Sequence, residues 1–205
     1  MIRRSLLIAA TLMALVAPMA SHAETTEVGG VKFDNLLSVG GSKLLLNGAG
    51  VRYKAFFKVY AAGLYLPARA TTPEAVLAAP GPRMLQIVML REIDANELGK
   101  LFTRGMEQNA PREDFSKSIN GIMRMSDIFS SRKKLVAGDS FAVEWVPGSG
   151  TVILVNGKVA SEPIKEPEFY SSLMKIWLGA SPADAVLKEA LLGKPAKASG
   201  PAGYN

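Results

Sequence analysis

Four turn signals divide this chain into short apolar runs joined at hairpin distance: Gly29-Gly30, Gly40-Gly41, Pro147 to Gly150, and Asn156-Gly157. Connections this short join antiparallel strands, because a parallel neighbour needs a crossover of about a dozen residues or more. Asn-Gly is the strongest short-range hairpin signal of the four. The flanking runs have strand composition. "VGGVKF" and "SKLLLNG" read as two short strands within residues 24–48. "GAGVRYKAFFKVYAAGLYLP", Gly48–Pro67, is aromatic and β-branched enough for one or two more. "RMLQIVML", "SFAVEWV" and "TVILV" complete the set.

Between the strand groups the period changes to that of helices. Thr72 caps a short helix with Pro73 at its first position. Asp94 and Glu97 form a capping-box pattern, followed by Leu98, Leu101, Phe102 and Met106 on one face as far as Pro111. A second helix is expected from Pro111 roughly to Phe129, with Phe115, Ile119, Ile122 and Met123 on its apolar face. "PEFYSSLMKIWLG" gives a third, ended by Gly179. Ser181 and Pro182 open a last one, ended by Gly193. Strands, helices, strands, helices with hairpin joints predict an α+β fold: one antiparallel sheet with helices on one face. There is no internal repeat and no second domain boundary, and residues 194–205 are Pro/Gly-rich and read as a flexible C-terminal tail.

The first residues bear on compartment. Arg3 and Arg4 precede the apolar run "LLIAATLMALV", and "MASHA" supplies small residues before Glu24. Residues 1–23 are therefore expected to be a secretory signal peptide, which places the protein in the periplasm. A retained anchor is the alternative, although the run falls short of the roughly 18 residues a span needs. Cleavage would leave 182 residues with 22 basic and 18 acidic side chains, net +4, and neither histidine nor cysteine. That excludes Ser–His and Cys–His nucleophiles, thiolate zinc and histidine-ligated haem. No cofactor or metal is called for. The cations are scattered without stacking aromatics, so nucleic acid is not an expected partner, and no later run is long enough for a membrane span.

Short motifs add little. Gly148-Ser149-Gly150 is a turn, since a nucleophile elbow needs its histidine. "GGSKLLLNGAG" lacks a phosphate loop's lysine spacing and reads as a hairpin and strand break. Glu113-Asp114 suits a helix start. Two polar residues on apolar faces stand out instead. Arg52 lies in a core-like run, where an unmatched guanidinium is costly; it is either an edge residue snorkelling to water or the polar wall of a cavity. Asn109 lies seven residues after Phe102 on the same helical face, as a C-terminal cap or a site residue. Tyr60 shares parity with Arg52, but on one straight strand the two would stand about 26 Å apart. They meet only if the chain doubles back.

"LNGAGVRYKAFFKVYAAGLYLP" resembles the signature of the chalcone isomerase-like family, especially its exported bacterial branch. The resemblance continues through "LFTRGMEQN", "FAVEWVPGSGTVILVNG" and "IWLGASPADAVLKEALLG", from about Val28 to Gly193. It implies an open-faced β-sandwich over residues 24–193, a large antiparallel sheet covered on one side by helices, with the ligand in the cleft between. In the true isomerases an arginine, a threonine, a tyrosine, an asparagine and a late hydroxyl residue close a chalcone into a flavanone. Here Arg52 falls on the arginine and Asn109 on the asparagine. Tyr60 replaces the threonine, Phe102 the tyrosine and Ile176 the late hydroxyl residue. Arg52 with Tyr60 is similar to the non-catalytic, fatty-acid-binding relatives.

The expected site is thus Arg52, Tyr60, Phe102, Asn109 and Ile176, with Phe56, Phe57 and Met106 as further apolar wall. The expected function is binding of a small hydrophobic anion such as a fatty acid. Two alternatives stand beside it. One is an intramolecular lyase of the chalcone isomerase type using Arg52 and Tyr60. The other is a non-enzymatic module contacting another envelope protein.

Overall fold

A computed structural model describes residues 24–194. The expected signal peptide, and the expected tail from residue 195 onward, lie outside the described residues. Four strands, not two, occupy the beginning: β1 (Thr25–Val28), β2 (Val31–Asp34), β3 (Leu36–Val39) and β4, which runs from Ser42 to Lys54. Each Gly-Gly pair makes a hairpin turn, with all four glycines at positive φ. β5 (Phe57–Leu66) doubles back on β4 through Ala55-Phe56. After α1 (Pro73–Ala78), capped by Thr72, come β6 (Arg83–Met89) and the two-residue β7 (Ile93–Asp94).

Helices α2 (Ala95–Asn109), α3 (Arg112–Lys117) and α4 (Ile119–Ser130) follow, then the short β8 (Lys134–Leu135). β9 (Ser140–Val146), β10 (Gly150–Val155) and β11 (Lys158–Val159) form a meander, and α5 (Pro167–Leu178) and α6 (Ala185–Leu191) end the fold. The Asn156-Gly157 turn between β10 and β11 has φ of 50° and 73°, the left-handed conformation those residues tolerate. Seven strands make one antiparallel sheet in the order β11-β10-β9-β6-β5-β4-β3. β6 and β9 are neighbours although α2–α4 lie between them in sequence. Those helices therefore leave the sheet and return on the same face.

Alternation along the strands sorts the side chains into two layers. Tyr60, Ala62, Leu64 and Leu66 of β5 point to the helices, into the main core with Leu98, Phe102, Phe141, Phe169 and Trp177. Ala61 and Tyr65 point the other way, into a smaller cluster with Phe33, Leu44 and Leu46, covered by the β1–β2 hairpin. The architecture is α+β, a curled antiparallel sheet with helices on one side. Among the described residues no helix is long and apolar enough to cross a membrane.

Three expectations change in detail. The helix expected from Pro111 to Phe129 is two helices, broken at Ser118, whose buried Oγ donates to the Asp114 carbonyl at 2.7 Å. The break resets the helical phase. Ile119 and Met123 are exposed, and Ile122, Met125, Ile128 and Phe129 face the core instead. The last helix is capped by Asp184, not Ser181: its Oδ1 accepts from the N–H groups of Val186 and Leu187 at 2.8 and 3.0 Å. The strand does not end at Gly48. It carries a register shift between Leu46 and Gly48 and continues. A Cβ on Gly48 would lie 2.0 Å from the Ala190 carbonyl oxygen, and one on Gly50 2.8 Å from the Ala190 Cβ. The two glycines let α6 lie directly on β4.

Candidate functional site

The doubling-back of β4 and β5 places Arg52 directly opposite Tyr60. A second register shift, between Arg52 and Tyr53, leaves Val59 without a partner on β4. The residues separated by eight positions in sequence are therefore cross-strand neighbours. Arg52 is half-buried, with its Cζ 5.6 Å from the centre of the Tyr60 ring. Its Nε is buried and has no hydrogen-bond partner, and Arg52 forms no ion pair among the described residues.

Tyr60 is 1% exposed. Its hydroxyl oxygen accepts from Trp177 Nε1 at 2.7 Å, which fixes the phenol and leaves its own hydrogen available to donate. Burial pushes the Tyr60 hydroxyl up to about 12, with the Arg52 charge and the Trp177 bond opposing and the Asp184 carboxylate assisting. The phenol is thus a neutral donor beside a cation. Asp184 Oδ2 accepts from the Tyr53 N–H at 2.9 Å, so its carboxylate is held by three backbone groups.

These two polar groups sit at one end of a cavity of about 140 Å³ between β4, β5 and the helices. Phe102 and Ile176, each 4% exposed, form its apolar floor with Leu98. Phe102 is held by ring contacts to Phe129, Phe141 and Trp177 at centroid distances of 5.5 to 5.7 Å. Arg104 and Gln108, both exposed on α2, stand at the rim, and Ser181 to Ala183 make the opposite wall. No carboxylate lines the cavity. An anion there would meet a guanidinium, a phenol and apolar carbon.

A second inward arginine shows what a structural role looks like here. Arg83 is 7% exposed, lies over Tyr170 and Trp145 at 5.0 and 5.7 Å, and donates from Nη1 to the Val76 and Leu77 carbonyls that end α1. Its charge is spent on a helix C-terminus, where a cation is favourable. Arg52 has no such employment.

Of the expected site residues, Arg52, Tyr60, Phe102 and Ile176 come together around one cavity. Asn109 does not line it. Its Nδ2 donates to the Gly105 and Ser181 carbonyls, each at 2.9 Å, and its Oδ1 accepts from the Ser181 N–H at 2.8 Å. With both ends of the amide engaged, Asn109 holds the Ser181–Ala183 wall in place from behind. Phe56 and Phe57 are not wall residues either. They stand in solvent at the hairpin tip, and Met106 is buried in the core away from the cavity. Sequence reasoning missed Trp177, Arg104 and the role of Asp184. An indole in an apolar helix needs a hydrogen-bond acceptor, and that requirement is the signal that points from Trp177 to a buried hydroxyl.

No curated protein matches the sequence. Among solved structures, the fatty-acid-binding protein AtFAP1 of Arabidopsis thaliana is similar with a TM-score of 0.62 at 15% identity, over 83% of this chain and 96% of that chain. At that identity the likeness is one of fold. The family model described as chalcone isomerase-like matches residues 25–193, almost the whole described chain. Sheet order, helical layer and this match agree, and the chain belongs to the chalcone isomerase-like family.

Proposed function

We propose that the protein binds a small hydrophobic carboxylate, a fatty acid or a short relative, with its head on Arg52 and Tyr60. The observation that carries this reading is a half-buried guanidinium that, unlike Arg83, has neither a hydrogen-bond nor an ion-pair partner among the described residues and lines a largely apolar cavity. A guanidinium fork matches carboxylate geometry, and the Tyr60 hydrogen adds a second donor. The structurally similar AtFAP1 is described as a fatty-acid-binding protein, and that supports the same class of ligand here. The volume of about 140 Å³ is close to the engineered cavity of about 150 Å³ that takes one benzene. It holds the carboxylate and the first carbons, and a longer tail leaves past Arg104 and Gln108. Phe102 and Ile176 stand where the resembling isomerases carry hydroxyls, which favours holding a ligand over closing a ring. Residues 1–23 support export, so the setting we propose is the periplasm.

Calorimetric titration with octanoate and with octanol separates the charge from the chain. Octanoate is expected to bind more tightly, and Arg52→Ala to weaken it about 10- to 100-fold, the size of a charged hydrogen bond. Equal affinity for acid and alcohol, or an Arg52→Ala protein that binds octanoate as well as before, would remove the reading.

A further inference from the structure

We propose that the β4–β5 hairpin tip docks the protein on an anionic lipid surface. The tip projects beyond the sheet. β5 pairs with β6 only from Tyr60 onward, and β3 pairs with β4 only over Ser42–Leu45, so no third strand flanks Tyr53–Lys58. Three rings stand in water there. Phe56 is 80% exposed, Phe57 50% and Tyr53 43%, with the two phenylalanine centroids 4.3 Å apart. A two-residue hairpin turn is ordinarily built from Asn, Asp or Gly. Ala55-Phe56 gives up that chemistry and presents a ring at the apex.

The charged side chains of the hairpin itself have one sign. Lys54 and Lys58 flank the rings, exposed, and Arg91 lies over the Phe57 ring at 5.1 Å. Val51 to Pro67 contains no acidic residue. The nearby Asp184 is held by the backbone of Tyr53, Val186 and Leu187, and Glu92 is paired with Lys134 at 2.8 Å. Exposed rings among lysines and arginines partition to the headgroup level of a bilayer, and each cation adds attraction to anionic lipid. A narrow projecting tip fits insertion by about 5–10 Å. It does not fit a stable protein interface, which buries about 800 Å² on each partner. Arg52 lies two residues behind Lys54, so a docked tip brings the cavity mouth toward the headgroups. The docking does not rest on the ligand reading, because lipid binding is read with no acid present.

The test is co-sedimentation of residues 24–205, which contain the whole described fold, with phosphatidylcholine vesicles with and without phosphatidylglycerol. Binding is expected only with phosphatidylglycerol, weakening as salt rises. The double variants Phe56→Ser/Phe57→Ser and Lys54→Glu/Lys58→Glu should each weaken it about tenfold or more. Leu36→Ser, which alters an exposed residue on another strand, should leave it unchanged. The sequence has no cysteine, so a polarity-sensitive fluorophore on Ala55→Cys reports the tip alone, and its emission should shift to the blue on anionic vesicles. Equal binding to neutral vesicles, no binding to anionic ones, or tip variants that bind normally each overturn the proposal. So does a dimer that ignores both vesicles and is abolished by Phe56→Ser/Phe57→Ser, which would make the tip a contact between copies.

Discussion

Trp177 and Tyr60 illustrate how much one hydrogen bond decides. The Trp177 N–H has its acceptor on Tyr60, so Tyr60→Phe strands a buried indole donor. The expected cost is about 1–3 kcal/mol in chemical denaturation. The same change removes a ligand donor, so octanoate affinity should fall as well. Asn109→Ala separates wall from head group. It frees both Ser181 backbone groups, and octanoate binding should weaken several-fold while Arg52 and Tyr60 remain in place. Unchanged affinity in Asn109→Ala would show that the Ser181–Ala183 wall does not depend on that amide.

At the level of elements, the end of helix α6 lays its backbone on strand β4 at Gly48 and its Ala190 and Leu187 side chains on Gly50. Gly48→Ala puts a methyl carbon onto a main-chain oxygen that cannot rotate away. A loss of about 3 kcal/mol is expected, at the upper end for overpacking, read as a lowered denaturation midpoint with unchanged slope. The Gly-x-Gly was visible in the sequence, but its cause was not, because the partner lies some 140 residues later. The same holds for the site. Hairpins at Gly29-Gly30, Gly40-Gly41 and Asn156-Gly157 were legible because their turn residues announce them. The turn at Ala55-Phe56 carries no Gly, Asn, Asp or Pro, so the crossing of Arg52 and Tyr60 could only be stated as a condition. Ile119 and Met123 were misassigned to the core because Ser118 changes the helical phase, and a single polar residue inside a helical pattern does not declare a break.

For the molecule as a whole, buried phenols set the alkaline limit. Burial raises Tyr60 to about 12, and Tyr65 and Tyr170 are pushed higher still, each from an ordinary value of 10.0. The folded state favours the neutral form. Their contribution is therefore complete below pH 10 and is lost as pH rises toward and beyond 12. The melting temperature should fall steeply above about pH 10, and less steeply in Tyr60→Phe; equal slopes would show that Tyr60 ionises without hindrance. The family and its sheet-and-helix layering were legible from the strand signature and turn spacing. The Tyr60–Trp177 bond, 117 residues apart, was not, because it depends on how the two layers are stacked.

The amide of Asn47 joins β4 to both the Ala70 and the Leu191 carbonyls at 2.8 Å, the latter 144 positions along the chain. β4 ends at Lys54 and α6 begins at Ala185, so β4 is made long before the helix that covers it. Until α6 is made and docks, the long strand β4 keeps its face at Gly48 and Gly50 bare. Truncation just before Ala185 should therefore yield an aggregating chain rather than a slightly smaller protein, and a holding chaperone has a natural target in that exposed strand.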